Sequence, residues 1–286
     1  MEKKNLLTYK PSGKIGFMTF PLFAVMLGLG VVLSIIYRIG MNLLPWIVLN
    51  LFLTLALGAA LGYLAKFAIR FGKSRNVGLS IALTGIVALG VVLLTHVVKV
   101  LFSLAVDHTL TEAFSLLGSQ FFYGIAAFAE RGFSIARANV HITGFWVYLI
   151  WAIELLLVVG IAILLSYEQS ESPFCESCGQ WCKEEHKVFS GIQLTDASSL
   201  VDKGDIDAIF NLPNVGEAEQ EEVTMTCHYC ARCANTAFLS IKGTLYEGHD
   251  SDGEPKKNER ALLEHAVMTV AQKEKCLSRI KETTSV

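Results

Sequence analysis

Six of the seven cysteines in this chain fall in two clusters, Cys175-Glu-Ser-Cys178-Gly-Gln-Trp-Cys182 and Cys227-His-Tyr-Cys230-Ala-Arg-Cys233. Two Cys-x-x-Cys turns brought together place four thiolates in a tetrahedron, the donor set that suits zinc. Four protein ligands leave no open position for substrate or water, so this chemistry is structural rather than catalytic. The glycine after Cys178 allows the turn that aims backbone N–H groups at sulfur. In the second cluster, Cys227/Cys230 and Cys230/Cys233 both have the spacing. We expect Cys230 and Cys233, because the β-like run Phe238-Leu-Ser-Ile241 begins five residues later and the strand-like Val223–Thr226 precedes the cluster. Those two runs would form a ribbon hairpin. Cys182 and Cys227 are then alternates or, with His186 and His228, a second metal site. Iron suits the same four-thiolate geometry and stays open beside zinc. A dithiol redox couple is a further rival.

Glu154 is the second residue with chemistry, because it interrupts the apolar run Phe145 to Tyr167. It sits about ten residues into that run, or ~15 Å at 1.5 Å per helical residue. A carboxylate at that depth in lipid costs several kcal/mol unless it is paired, protonated or wetted. His96 and Lys99, near the end of another apolar run, are its expected partners. The plain reading is a protonated carboxyl bonded between helices. The functional reading is a proton or ion relay.

The elements that hold these residues are legible as apolar runs. Ile15 to Tyr37 and Met41 to Leu64 carry no charge, Val77 to Leu101 carries only Lys99, and Phe145 to Tyr167 carries only Glu154. Each exceeds the ~20 residues a helix needs to cross the hydrocarbon core, and a crossing backbone must satisfy its own hydrogen bonds. Charge divides the chain the same way. Residues 1–167 hold 12 Lys/Arg against 5 Asp/Glu, whereas residues 168–286 hold 12 against 21. We therefore read 1–167 as a four-helix transmembrane domain and 168–286 as a cytosolic metal-binding domain. The fold class is an α-helical membrane bundle plus a small α+β zinc-ribbon-like domain. The acidic second half argues against nucleic acid as a partner, since phosphates demand clustered Lys/Arg.

Lys3, Lys4, Lys10 and Lys14 precede the first span, and Lys66, Arg70, Lys73 and Arg75 follow the second. The loop after the first span carries only Arg38. By the positive-inside rule both termini are expected in the cytosol. The first run is too long for the ~7–15-residue core of a cleaved signal peptide, and no small-residue cleavage site follows it. The connection 102–144 then faces outward, with Arg131 and Arg137 as its basic residues. Within it, Leu110, Phe114, Leu117, Phe121, Ile125 and Phe128 recur at helical spacing, which predicts an amphipathic helix over about 108–130 lying on the membrane or folded on the bundle. A fifth span is the rival, and it would put the cysteines outside, where disulfides form. Gly58 and Gly62 make a GxxxG pattern, expected to pack inside the bundle rather than between chains. Trp46, Trp146 and Trp151 read as interfacial anchors.

In the second half, Asp196 to Phe210 predicts a short helix ended by Asn211-Leu-Pro-Asn214. Glu217 to Glu222 reads as an acidic loop and Asp250 to Pro255 as a turn. Lys257 to Ile280, with Leu262, Leu263, Ala266, Val267, Val270 and Leu277, predicts an amphipathic helix. Its default place is packed on the ribbon, and docking a partner is the sharper alternative. Cys276 stands alone as a buried or free thiol.

Several segments together carry a resemblance: Tyr9-Lys-Pro-Ser-Gly13, Gly72-Lys-Ser-Arg-Asn76, Gly144-Phe-Trp146, Trp151-Ala-Ile-Glu154 and the split Cys-x-x-Cys pairs. In these the chain resembles a group of uncharacterised bacterial four-span membrane proteins with a cytosolic zinc-ribbon-like tail. The resemblance covers residues 9 to about 241 and implies the same architecture and a bacterial inner membrane. Cys182 and Cys227 depart from a plain four-cysteine ribbon. Three functions follow. The first is a scaffold or regulatory subunit, held in the lipid bilayer, whose zinc-shaped domain meets a protein partner at the cytosolic face. The second is a small transporter or channel subunit using Glu154, His96 and Lys99. The third is a thiol-redox enzyme, the least supported, because no serine–histidine arrangement, phosphate loop or metallopeptidase motif occurs. The sequence sets no oligomeric state.

Overall fold

Two hydrophobic patterns produce two compact units in the computed structural model. It describes residues 6–43, 47–105, 109–135, 140–190, 192–212, 221–233, 235–249 and 255–281. One unit is Ser12–Glu171; the other joins Met1–Pro11 to Ser172–Val286. The sequence division at 167/168 thus shifts to the end of the last long helix, and the N-terminal segment belongs with the cysteine-bearing half. Lys3, Lys4, Trp46, Arg137, 217–220 and 250–254 lie outside the described residues, as do the side chains of Leu110 and Phe114.

The first unit holds α1 (Thr19–Leu43), α2 (Ile47–Gly72), α3 (Val77–Leu104), α4 (Leu110–Arg131), a hairpin of β1 (Phe133–Ile135) and β2 (Val140–Ile142), and α5 (Phe145–Glu171). Four of these, α1, α2, α3 and α5, are long and apolar enough to cross a membrane. No more than 33 % of each most apolar window is buried inside the chain, which leaves most of its apolar surface for lipid. Ser34 Oγ donates to the Val91 carbonyl at 3.1 Å, and one turn on Arg38 Nε donates to the Thr95 carbonyl at 2.8 Å. The contacts advance together, so α1 and α3 run parallel. Gly58 and Gly62 face α5: a Cβ on Gly62 would lie 2.8 Å from the Leu165 Cβ and 3.2 Å from the Ala162 Cα. The expected small-residue contact is therefore made within the chain, where missing Cβ atoms let the backbones close.

Capping residues set the helix starts. Asn76 accepts from the Leu79 N–H at 2.9 Å at the head of α3. Thr109 and Glu112 form a capping box on α4. That helix takes up the expected amphipathic segment at 108–130. It packs against α3 and is not one of the four apolar enough to cross.

The second unit is an α+β domain. A small hairpin, β3 (Phe174–Cys175) with β4 (Gln180–Trp181), precedes an antiparallel sheet in sequential order. Its strands are β5 (Lys183–Ser190), β6 (Glu221–Tyr229), β7 (Ala237–His249) and β8 (Pro255–Val267). Helices α6 (Leu194–Lys203), α7 (Ile206–Phe210) and α8 (Val270–Lys281) cover the face that carries Val223, Met225, Cys227, Leu239 and Ile241. The expected helix over 196–210 is two helices, because Gly204 takes the left-handed φ of +68° that ends α6 and Asp205 caps α7. Glu221 and Glu222 belong to β6 rather than to a loop, and Pro255 opens β8.

The helix expected over 257–280 is a strand followed by a helix. Leu239 pairs with Ala266 and Ile241 with Leu263, so two residues of β7 oppose three of β8. The extra residue makes a β-bulge. His265 sits in it at φ +49°, and its N–H reaches Ser240 Oγ at 3.1 Å. The bulge turns Leu263 and Ala266 to the same side at a spacing of three, imitating helical periodicity in a strand. The true helix start is marked by Thr269 and Gln272, which cap each other's backbone N–H groups at 3.0 and 3.3 Å. Residues 6–9 add a short edge to β8: Val267 donates to the Leu7 carbonyl and Tyr9 to the His265 carbonyl, both at 2.8 Å.

Candidate metal centre and intramembrane polar cluster

Each cysteine pair sits where a hairpin turns. Cys175 ends β3 and Cys178 lies in the turn to β4, where Gly179 adopts φ +62° and donates to the Cys175 carbonyl at 2.9 Å. Cys230 follows β6 and Cys233 lies in the turn to β7, closed by the Cys230 N–H on the Thr236 carbonyl at 3.0 Å. The two turns face each other, and the four Sγ atoms of Cys175, Cys178, Cys230 and Cys233 all lie within 4.8 Å of one another. Cys175 and Cys233 are 3.6 Å apart. A tetrahedral ion with metal–sulfur bonds of about 2.3 Å requires sulfur–sulfur separations of about 3.8 Å, so the residues fit.

Polar groups around the sulfurs favour negative charge. The Gln180 side-chain amide donates to Cys230 Sγ at 3.1 Å and the Arg232 N–H at 3.4 Å. Burial raises the Cys230 thiol, but the N–H groups of Arg232 and Cys233 and the Gln180 amide outweigh it and draw it down to about 6. The Thr236 hydroxyl lies 3.3 Å from Cys175 Sγ and 3.7 Å from Cys233 Sγ. Hydrogen bonding to Cys233, then burial, pushes Cys178 up to about 12. Four sulfurs this close cannot all ionise alone; one thiol holds its proton against its neighbours' charge. A divalent cation removes that conflict.

The remaining cysteines go elsewhere. Cys227 lies on the covered sheet face and hydrogen-bonds with Cys276 of α8 in the core. Side chains alternate along a strand, so His228 points to the opposite face from Cys227. His186 pairs with Thr226 and shares the face of His228. The set Cys182, Cys227, His186 and His228 is therefore not brought together. Among the described residues, Cys175, Cys178, Cys230 and Cys233 are the one group of His, Cys, Asp or Glu placed to hold an ion.

In the bundle, Glu154 meets a partner the sequence reading missed. The Tyr37 hydroxyl donates to Glu154 Oε1 at 2.6 Å and lies 3.1 Å from Thr54 Oγ1. His96 pairs instead with Arg38, whose Nη2 is 3.5 Å from Nδ1. Arg38 was expected in the loop after the first span, but α1 runs on to Leu43 and buries it. The Lys99 ammonium lies over the rings of Phe128 and Trp151, 4.3 and 5.1 Å from their centroids. Trp151 also packs on His96 at 5.0 Å, so it lines this cluster rather than acting as a simple anchor. Trp146 is exposed. The signal that points to Arg38 is the helical spacing of four from Ser34, which continues the buried stripe Phe23, Met26, Gly30 and Ser34.

Comparison with protein-family models, curated proteins and solved structures finds no match for this chain.

Proposed function

We propose that this chain is a membrane-anchored scaffold or regulatory subunit that presents a zinc-ordered domain to a protein partner in the cytosol. The observation that carries this reading is the closed set of four thiols on two facing turns. When bound, zinc supplies a cross-link between the β3–β4 and β6–β7 turns, with no free coordination position. Such sites contribute about 10–16 kcal/mol to folding in zinc-finger peptides. Cys175, Cys178, Cys230 and Cys233 would hold the ion, and iron in the same set is the alternative metal. The cytosolic placement rests on Lys10, Lys14, Lys66, Arg70, Lys73 and Arg75 flanking the first two spans.

Co-purification from native membranes in mild detergent tests the proposal, comparing wild type with Cys175→Ser/Cys178→Ser. A protein held by wild type and lost from the variant, with loss of bound metal, supports a docking module. Wild type that purifies alone with metal bound overturns it. A second reading, a small transporter or channel subunit, draws on the contact of Glu154 with Tyr37 and the nearby Arg38, His96 and Lys99. Ion flux in liposomes that is abolished by Glu154→Gln would select that reading.

A further inference from the structure

The polar cluster of the bundle does not balance its own charge. Among the described residues Glu154 is its one carboxylate, against the cations of Arg38 and Lys99. His96 Nδ1 lies 3.5 Å from the Arg38 guanidinium, which can only donate, and adds no anion. One positive charge is left over in an apolar environment, where an uncompensated charge is expensive. Lys99 shares the single charge of Glu154 with Arg38 and makes no direct ion pair with it. Its ammonium meets the faces of Phe128 and Trp151 and, among the described residues, has no carboxylate within ion-pair distance.

Phe128 is shared with a partly open cavity of about 140 Å³ between α3 and α4. Ser103, Gln120, Tyr123 and Arg131 contribute hydrogen-bond donors to its wall, and among the described residues no acid lines it. Lys99 lies one helical turn from Ser103, behind the Phe128 ring. The cavity has room for roughly five water volumes of ~30 Å³. A phosphate group fits there, whereas pockets for drug-sized molecules run to ~300–1,000 Å³. The wall is mostly apolar with four donor-bearing side chains, and the helices around it are apolar on their outer sides, with Phe102 and Phe122 exposed. An amphiphile can therefore leave its chains in lipid and place only its anion between the helices.

We propose that the α3–α4 cavity binds the headgroup phosphate of an anionic phospholipid, with Arg131 as its direct ligand and Lys99 supplying the second positive charge. The test is native mass spectrometry of the full-length, delipidated protein. It is titrated with phosphatidylglycerol, with phosphatidylcholine and with inorganic phosphate as competitor. The expected result is at least a tenfold preference for phosphatidylglycerol. That preference should be cut about tenfold by Arg131→Gln, largely restored by Arg131→Lys, and weakened by Lys99→Met. Helical circular dichroism and retained metal check that each variant is folded. If Arg131→Gln does not fold, Ser103→Leu fills the cavity while keeping both charges and should block the lipid. Equal binding of the two lipids, or preference unchanged in the folded variants, overturns the proposal. So does displacement by equimolar inorganic phosphate, because the ligand is then a free anion rather than a lipid.

Discussion

Cys182 lies close to the four clustered thiols, yet its chemistry is opposite to that of a reactive cysteine. Burial, then the charges of Cys175, Cys230 and Cys233, push its thiol up to about 12, so it stays protonated at neutral pH. Since the thiolate is the nucleophile, its reactive fraction is well below that of an ordinary thiol. Alkylation by iodoacetamide, followed by peptide mass spectrometry, should label Cys182 at least ~100-fold more slowly in the folded protein than in denaturant. Rapid labelling would revive the thiol-redox reading. Cys276 is also held protonated, first by its hydrogen bond to Cys227 and then by burial. The ligand set makes a separate prediction. If the four thiols hold an ion, replacing Cys175, Cys178, Cys230 or Cys233 by serine should abolish its binding, whereas Cys182→Ser and Cys227→Ser should each keep about one ion per chain, read by elemental analysis. Spacing alone left two pairs open in the second cluster. The β6–β7 turn separates them, because Cys227 is still on a paired strand facing the core while Cys230 and Cys233 flank the turn.

Among the elements, α2 and α5 meet through the glycines of one helix. Gly62→Leu should open that contact, since even a Cβ there meets Leu165 at 2.8 Å and the Ala162 backbone at 3.2 Å. The expected cost is about 1–3 kcal/mol, the usual range for overpacking, seen as earlier thermal unfolding of the bundle in detergent. Unchanged unfolding would mean that this face does not pack on α5. In the second unit, Ile209 of α7 is fully buried against the sheet. Ile209→Ala should lower the stability of that unit by about 2–5 kcal/mol while leaving the ion bound, measured by hydrogen exchange of β6 and β7 amides. The pair Leu263 and Ala266 explains why β8 read as helix: a bulge at His265 produces the spacing of three that periodicity takes for a turn of helix.

For the whole molecule, the segment before the first span is part of the C-terminal α+β unit. Leu7 and Tyr9 pair with the β8 edge, and the Tyr9 ring packs on Phe238 with centroids 5.0 Å apart. Removing residues 2–10 should therefore destabilise the C-terminal unit, by about 1–3 kcal/mol for two backbone hydrogen bonds and one aromatic contact. Limited proteolysis of the truncated protein should cut within β8 faster than in wild type, and equal rates would show that the edge stands without this segment. The sequence by itself determined the four apolar spans, the acidic second half, the two cysteine knuckles and the amphipathic α4. Each is a local property, set by hydrophobicity over one helix length or by spacing within one turn. Only the tertiary structure decided that Tyr37 rather than His96 or Lys99 meets Glu154, that Arg38 is buried, that Cys227 turns into the core and that residues 6–9 edge the sheet. Those outcomes depend on which faces of distant segments come together, and side-chain contacts across more than a hundred positions, as between Tyr37 and Glu154, leave no periodic trace in the chain.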